Sequence, residues 1–314
     1  MKGLARHLCT AAVSTVAVGG LACHSAHQPP RTTADAHVQA GLRTLLGVCK
    51  TARENPSPRL DPHEDLDSIL WQQTAAEYRA NTTTVYRAAA AALKNLAAAK
   101  QGENPVVVFD LDETVLDNSR FQGRLLAEHR KYDPDLWDCW VAQKQALLVP
   151  GAELLFRALV EQRVRASFIT NRKCLPRDGE DCPQERETLA NLNALLKDTG
   201  YVATAEEVLM SAEKDPSTGA PWDDEKKARR DFVAKTHAIV MLVGDDLGDF
   251  LAGVRKATMA ARAAEIEKVD DRWGKSWFLL PNPSYGSWVT AVDQDAAPPR
   301  KRSDVVKAFA YPHE

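Results

Sequence analysis

The chain has 314 residues, 44% of them apolar, enough for one sizeable α/β core with a smaller accessory region. A formal net charge of −3 and a pI near 6.3 leave no broad basic footprint, which argues against a nucleic-acid polymer as partner. No apolar run reaches the roughly 18–20 residues that a bilayer-spanning helix needs, so the chain is expected to be soluble apart from its start.

At that start, Lys2 and Arg6 precede an apolar or small stretch over residues 8–22, the pattern of a signal peptide. It ends in Gly20-Leu21-Ala22-Cys23, and polar, Pro-containing residues 24–33 follow as a linker. A small residue before a cysteine at this place resembles a bacterial lipoprotein signal. Residues 1–22 are then removed and Cys23 carries lipid; ordinary secretion with Cys23 incidental is the alternative. His24, rather than Asp, after Cys23 favours an outer-membrane destination. Four further cysteines remain, and an even number in an exported chain favours disulfides over metal or catalysis. Cys174 and Cys182 bracket a loop containing Pro176 and Gly179 and are the expected pair; Cys49 with Cys139 follows by subtraction.

Helical patterns cover residues 34–54 and 67–100, separated by Asn55-Pro56-Ser57-Pro58. In the second, Trp71, Ala75, Tyr78, Thr82, Val85, Ala89, Leu93 and Leu96 form one apolar stripe suited to core packing. Residues 34–104 thus read as an N-terminal helical region. The pattern then changes to short runs of β-formers at residues 106–109, 166–169, 208–210, 239–243 and 277–280. Helical patterns at 152–162, 184–197, 224–235 and 250–259 separate them. Strands alternating with helices imply an α/β fold, a doubly wound parallel sheet with helices on both faces. It spans residues 105–290 with a helical insertion at about 119–150, and residues 291–314 read as a loosely attached tail.

Ligands of such sheets bind at the carboxyl ends of the strands. There the first run delivers Asp110, Asp112 and Thr114, the second Thr170, Asn171 and Arg172, and the fourth Asp245, Asp246 and Asp249. A carboxylate can attack phosphorus only if anion–anion repulsion is removed, about 4 kcal/mol per charge pair at 4 Å and an effective dielectric of 20. Mg²⁺, which prefers hard oxygen ligands, and a lysine supply the opposing charge; Asp110, Asp245 and Lys226 suit those roles. Thr170 and Asn171 can donate to phosphoryl oxygens. Asp112, two residues past the nucleophile, can protonate the leaving alkoxide if packing raises its pKa.

Residues 110–119 (DLDETVLDNS), 169–172 (ITNR), 226–230 (KKARR), 244–250 (GDDLGDF) and 280–288 (LPNPSYGSW) occur in the order of the haloacid dehalogenase superfamily of aspartyl phosphatases. With residues 71–78 (WQQTAAEY) they resemble the class C acid phosphatases, bacterial lipoproteins that include outer-membrane 5′-nucleotidases. The resemblance implies an exported, Mg²⁺-dependent acid phosphatase acting on small phosphomonoesters, with 5′-nucleotides the leading substrate, and leaves a homodimer open. It makes Asp110 nucleophile and metal ligand, and Asp112 the acid/base with its backbone carbonyl on the metal. Asp245 becomes the third ligand, and Asp249 lies behind, ordering metal-bound water. Thr170 and Lys226 hold the phosphoryl group; Lys227 is the alternative, because the spacing to Arg229-Arg230 can slip by one. Asp246 stands where many relatives have Asn and reads as a neighbour of the ligands. Arg172 reads as a brace through ion pairing, with a phosphate clamp as its rival. Trp137 and Tyr285 fall where family substrates stack their bases, with core packing as the competing role; Trp140 is equally open. The Cys174–Cys182 insertion departs from the family and is expected to shape the pocket rim. Two alternatives stand beside this reading: a sugar-phosphate phosphatase or phosphotransferase on the same scaffold, and a non-catalytic surface-binding lipoprotein.

Overall fold

A computed structural model describes residues 65–295. The signal stretch, Cys23, the helix expected at 34–54, Cys49 and the tail beyond residue 295 lie outside the described residues. The expected helix over 67–100 is two: α1 (Leu66–Thr74) and α2 (Ala76–Ala98), broken at Ala75, whose ψ of 130° is extended. The apolar stripe of α2 is real, with Tyr78, Thr82, Ala89 and Leu93 buried.

The sheet follows from runs of β-branched and aromatic residues that bury both faces. β1 (Pro105–Phe109), β4 (Arg165–Lys173), β5 (Val208–Ser211), β6 (Ala238–Gly244) and β7 (Trp277–Leu279) lie in the order β5-β4-β1-β6-β7. Every pairing is parallel, and β1 is central, with Phe109 opposite Phe168 on one side and Val243 on the other. Between β1 and β4 lie β2 (Leu116–Asp117), α3 (Ser119–Ala127), α4 (Pro134–Gln143), β3 (Leu147–Leu148) and α5 (Ala152–Gln162). β2 and β3 pair antiparallel. α4 starts where it must: Pro134 is its first residue, and Asp133 Oδ1 accepts from Asp135 N at 2.9 Å and Leu136 N at 3.2 Å.

α6 (Pro183–Leu196) and α7 (Lys227–Ala234) complete the crossovers. Phe109, Phe156, Phe168, Leu93 and Leu192 pack into the larger core on one face of the sheet. Val106, Val108, Leu242, Trp222 and Trp277 form the smaller core on the other. The helix expected at 250–259 is not there. A 3₁₀ turn at Leu247–Asp249 runs into bends with Gly253 at φ 76°, and the helix comes later, as α8 (Met259–Glu267). Thr258 fixes that start by accepting Ala261 N at 3.2 Å through its hydroxyl. α9 (Ser287–Asp295) extends regular structure into the start of the expected tail. No helix of the described residues is long and apolar enough to cross a membrane.

Candidate active site

The two central strands end side by side, and the site is built on their ends. Asp110 N donates to Val243 O at 2.9 Å, the last rung between β1 and β6, so Asp110 leaves the sheet beside Asp245. The chain then reverses tightly: Val115 N and Leu116 N both donate to Leu111 O at 2.8 Å, with Glu113 at φ 61°. This turn aims Thr114 back across the strand ends, where its hydroxyl donates to Asp245 Oδ1 at 2.8 Å. Asn282 Nδ2 holds the other Asp245 oxygen at 2.8 Å. Asp249 folds back over Gly244 and accepts the N–H groups of Asp245 and Asp246 at 3.1 and 2.9 Å. Only glycine fits at 244, because a Cβ would lie 2.4 Å from Asp249 Oδ2.

Carboxylate oxygens of Asp110, Asp245 and Asp249, one from each, all lie within 4.8 Å of one another. Asp249, expected one layer behind the ligands, stands in the carboxylate group itself. Lys226 Nζ bridges Asp249 Oδ1 at 2.7 Å and Asp110 Oδ1. The two lysines lie in different places: Lys226 is buried beside Asp110, whereas Lys227 is exposed and pairs with Asp231. Burial raises the Asp110 carboxyl to about 6 against the pull of Lys226, with the charges of Asp249 and Asp112 adding to the rise. Asp245 is pushed well above the carboxylate range by burial and then by Asp110 and Asp249. Burial works against the Lys226 ammonium, but Asp110 and Asp249 outweigh it and hold its pKa above the usual value. Such clustered anions in a low-dielectric setting are what a hard divalent cation relieves, and all three donors are hard oxygens.

Asp112 is held by polar partners. Arg172 grips it through Nη2 at 2.7 Å and Nε at 3.1 Å, and Asn118 Nδ2 donates to it at 3.0 Å. Arg172 is the brace of the two roles considered: its side chain is 2% exposed, and Nη1 is spent on Thr188 at 3.0 Å. Thr170 is fully buried beneath, its hydroxyl 3.4 Å from Asp112 Oδ2 and accepting Arg172 N at 3.1 Å. Asn171 lines the cavity, but its amide is engaged elsewhere, with Nδ2 on Asp224 O at 3.0 Å and Oδ1 on Arg229 Nη2 at 2.7 Å. That side chain links β4 to Asp224 and to Arg229 of α7 while it lines the cavity.

A cavity of about 330 Å³ opens over these groups. Trp137 of α4 and Tyr285 both line it, as do Asp246 and Tyr132. Trp137 packs edge-on to Phe121 at 5.1 Å and lies under the Arg172 guanidinium at 5.6 Å. Trp140 points into the core and donates to Asn118 Oδ1 at 2.8 Å. Tyr285 donates its hydroxyl to buried Glu113. Burial would raise the Asp246 carboxyl, yet hydrogen bonds from Ser287 and Gly248 hold it below its ordinary pKa. The roles of Glu113, Asn118, Thr114 and Asn282 were missed. All four stand inside recognised motifs, but only the fold shows which groups they hold. Cys174 and Cys182 are bonded, and the loop they close reaches the helix that carries Trp137: Arg177 Nη1 meets Asp138 Oδ2 at 2.6 Å.

Residues 62–288 match the model of the HAD superfamily, subfamily IIIB (acid phosphatase). The fold is similar to a class C acid phosphatase from Bacillus anthracis solved with tungstate bound, at a TM-score of 0.65 and 28% identity over 81% of this chain and 98% of that one. A second structure of the Bacillus anthracis class C acid phosphatase matches at the same TM-score and 27% identity, with the same coverage. The stem 28 kDa glycoprotein of Glycine max is 25% identical over 71% of this chain and 75% of its own length. The stem 31 kDa glycoprotein of that plant is 26% identical over 62% of this chain and 61% of its own length. With a match across most of the chain, on a fold that sets acidic strand ends around a buried lysine, this protein belongs to the subfamily IIIB acid phosphatases of the HAD superfamily.

Proposed function

We propose that this acid phosphatase is an exported, Mg²⁺-dependent enzyme that hydrolyses small phosphomonoesters, 5′-nucleotides foremost, through a phosphorylated Asp110. One observation carries the proposal: Asp110, Asp245 and Asp249 converge within 4.8 Å beside the buried Lys226 ammonium, at the floor of a cavity walled by Trp137 and Tyr285. Asp110, Asp245 and Asp249 would hold the Mg²⁺, which would supply positive charge against their carboxylates and the phosphate dianion. A carboxylate oxygen of Asp110 attacks phosphorus, forming an acyl phosphate as the ester P–O bond breaks. The leaving oxygen takes a proton from Asp112, whose position under Arg172 is fixed before substrate arrives. Water, deprotonated by Asp112, then attacks the same phosphorus, and inorganic phosphate leaves with Asp110 regenerated. Lys226 compensates charge on Asp110 before attack and on the phosphoryl oxygens as the transition state forms.

The aromatic walls support a substrate with a flat base over a glycerol or sugar phosphate. A comparison of nucleoside 5′- and 3′-monophosphates with glycerol and sugar phosphates, with and without chelator, tests the reading. The 5′-nucleotides are expected to show the highest kcat/KM, and chelation to abolish turnover until Mg²⁺ is restored. Equal rates on all esters would remove the nucleotide assignment, and full activity in chelator would remove the metal. Export and anchoring rest on the sequence at Cys23, and Cys23→Ser is expected to move the enzyme from the membrane to the soluble fraction.

A further inference from the structure

Three cations line the catalytic cavity, and two are consumed by the machinery. Lys226 is shared by Asp110 and Asp249, and Arg172 is divided between Asp112 and Thr188; their side chains are 5% and 2% exposed. Arg255 differs. Its side chain is 29% exposed, and among the described residues its ion pair is a loose one, 3.9 Å to Asp246 Oδ1. That carboxylate is already served by stronger donors: Gly248 N at 2.8 Å, Ser287 Oγ at 2.7 Å and Ser287 N at 2.5 Å. Arg262 adds charge from behind, with Nη1 on Val254 O at 2.7 Å and on the same Ser287 hydroxyl at 2.6 Å. Two guanidiniums thus attend one well-satisfied carboxylate. The approach is built in, because the Arg255 stem crosses Gly248 so closely that a Cβ there would lie 2.7 Å from Arg255 Cγ. The wall continues directly from the aromatic one, since Asp246 binds the backbone of Ser287, two residues past Tyr285.

A guanidinium with uncommitted donors presents a fork that fits two oxygens of a phosphate or carboxylate. The scissile phosphoryl group belongs at Asp110, where Lys226 waits, so the anion that Arg255 takes is a second one. We propose that Arg255 is a specificity-determining residue that receives a second anionic group on the substrate, so that nucleoside bisphosphates are preferred over the corresponding 5′-monophosphates. The inference rests on the phosphatase reading of this cavity and names the substrate class that it favours.

The test measures kcat and KM for adenosine 5′-monophosphate, adenosine 2′,5′-bisphosphate and adenosine 3′,5′-bisphosphate in the wild-type enzyme, Arg255→Met and Arg255→Lys. In the wild type at least one bisphosphate should show a KM about tenfold lower than the monophosphate, the scale of one charge-assisted hydrogen bond. Arg255→Met should bring that ratio close to one through KM, with kcat for each ester little affected, and Arg255→Lys should restore part of it. A wild-type ratio near one for both bisphosphates, or a ratio that survives Arg255→Met, overturns the proposal. A parallel fall in kcat for all three esters would assign Arg255 to the structure of the site and also overturn it. Failure of the nucleotide reading is seen separately, as a monophosphate that performs no better than glycerol phosphate. The ratio then remains readable from competitive inhibition of p-nitrophenyl phosphate hydrolysis by the same three nucleotides.

Discussion

Lys226 and its two carboxylates show how much of this site depends on charges that cannot spread into water. The Asp110 carboxyl, ordinarily near 3.8, is raised to about 6 in the fold, chiefly by burial. A carboxyl whose pKa rises on folding stabilises the folded state through its protonated form. That contribution is complete below about 3.8 and is lost as pH rises through about 6. The metal-free protein should therefore lose several degrees of Tm between pH 4 and pH 7, on the order of a few degrees per kcal/mol. Mg²⁺ should restore more at pH 7 than at pH 5, and differential scanning fluorimetry reads both. An equal Mg²⁺ shift at the two pH values would contradict carboxylate ligation at this cluster. Asp112 invites a different experiment. Asp112→Asn should slow alkyl phosphates by about 10²–10⁴-fold, the usual range for a lost acid, and p-nitrophenyl phosphate much less, because that leaving group departs without a proton. Equal losses on both esters would remove Asp112 as the acid. The places of Asp110, Asp112 and Asp245 were legible because each follows a strand end at a fixed offset, whereas the sequence left Lys226 and Lys227 both open. Residue type says nothing of direction, so the hydrogen bonds of the Asn171 amide to Asp224 and Arg229 were not announced.

At the scale of elements, the strands and three of the four helices between them were readable, and the connection after β6 was not. Runs such as residues 106–109 have no other way to bury both faces, whereas the segment after Asp249 bends at Gly253 and postpones its helix to Met259. The loop closed by Cys174 and Cys182 shows what pattern alone leaves out. Its cysteines announced the bridge, but nothing announced that Arg177 would reach Asp138 on α4 and Glu187 on α6, with Gln184 adding a bond to Asp138 at 2.9 Å. Those contacts hold the helix whose Trp137 walls the cavity. Replacing both cysteines by serine should cost about 2–3 kcal/mol for so short a loop. It should also raise KM for nucleotides several-fold more than for glycerol phosphate, and Arg177→Met should reproduce the KM effect with the bridge intact. An unchanged nucleotide KM in both variants would mean that the loop stabilises the fold without shaping the site.

Across the whole molecule, the chemistry is gathered from residues more than a hundred positions apart because the parallel order β5-β4-β1-β6-β7 puts β1 and β6 side by side. β4 on the other flank brings Arg172 and Thr170 to Asp112 from a third strand. α1 fastens the rim, with Gln73 Nε2 on Ser119 O at 2.8 Å and Ser284 Oγ donating to Gln72 at 3.0 Å, so α1 ties down the residues next to Asn118 and Tyr285. The most direct measurement is acid-quench mass spectrometry of enzyme turning over a phosphomonoester with Mg²⁺. A phosphoryl group on the peptide carrying Asp110, absent from Asp110→Asn, is the expected result. Rapid turnover with that peptide unmodified at every time sampled, or the phosphoryl group on another residue, would contradict Asp110 as the nucleophile.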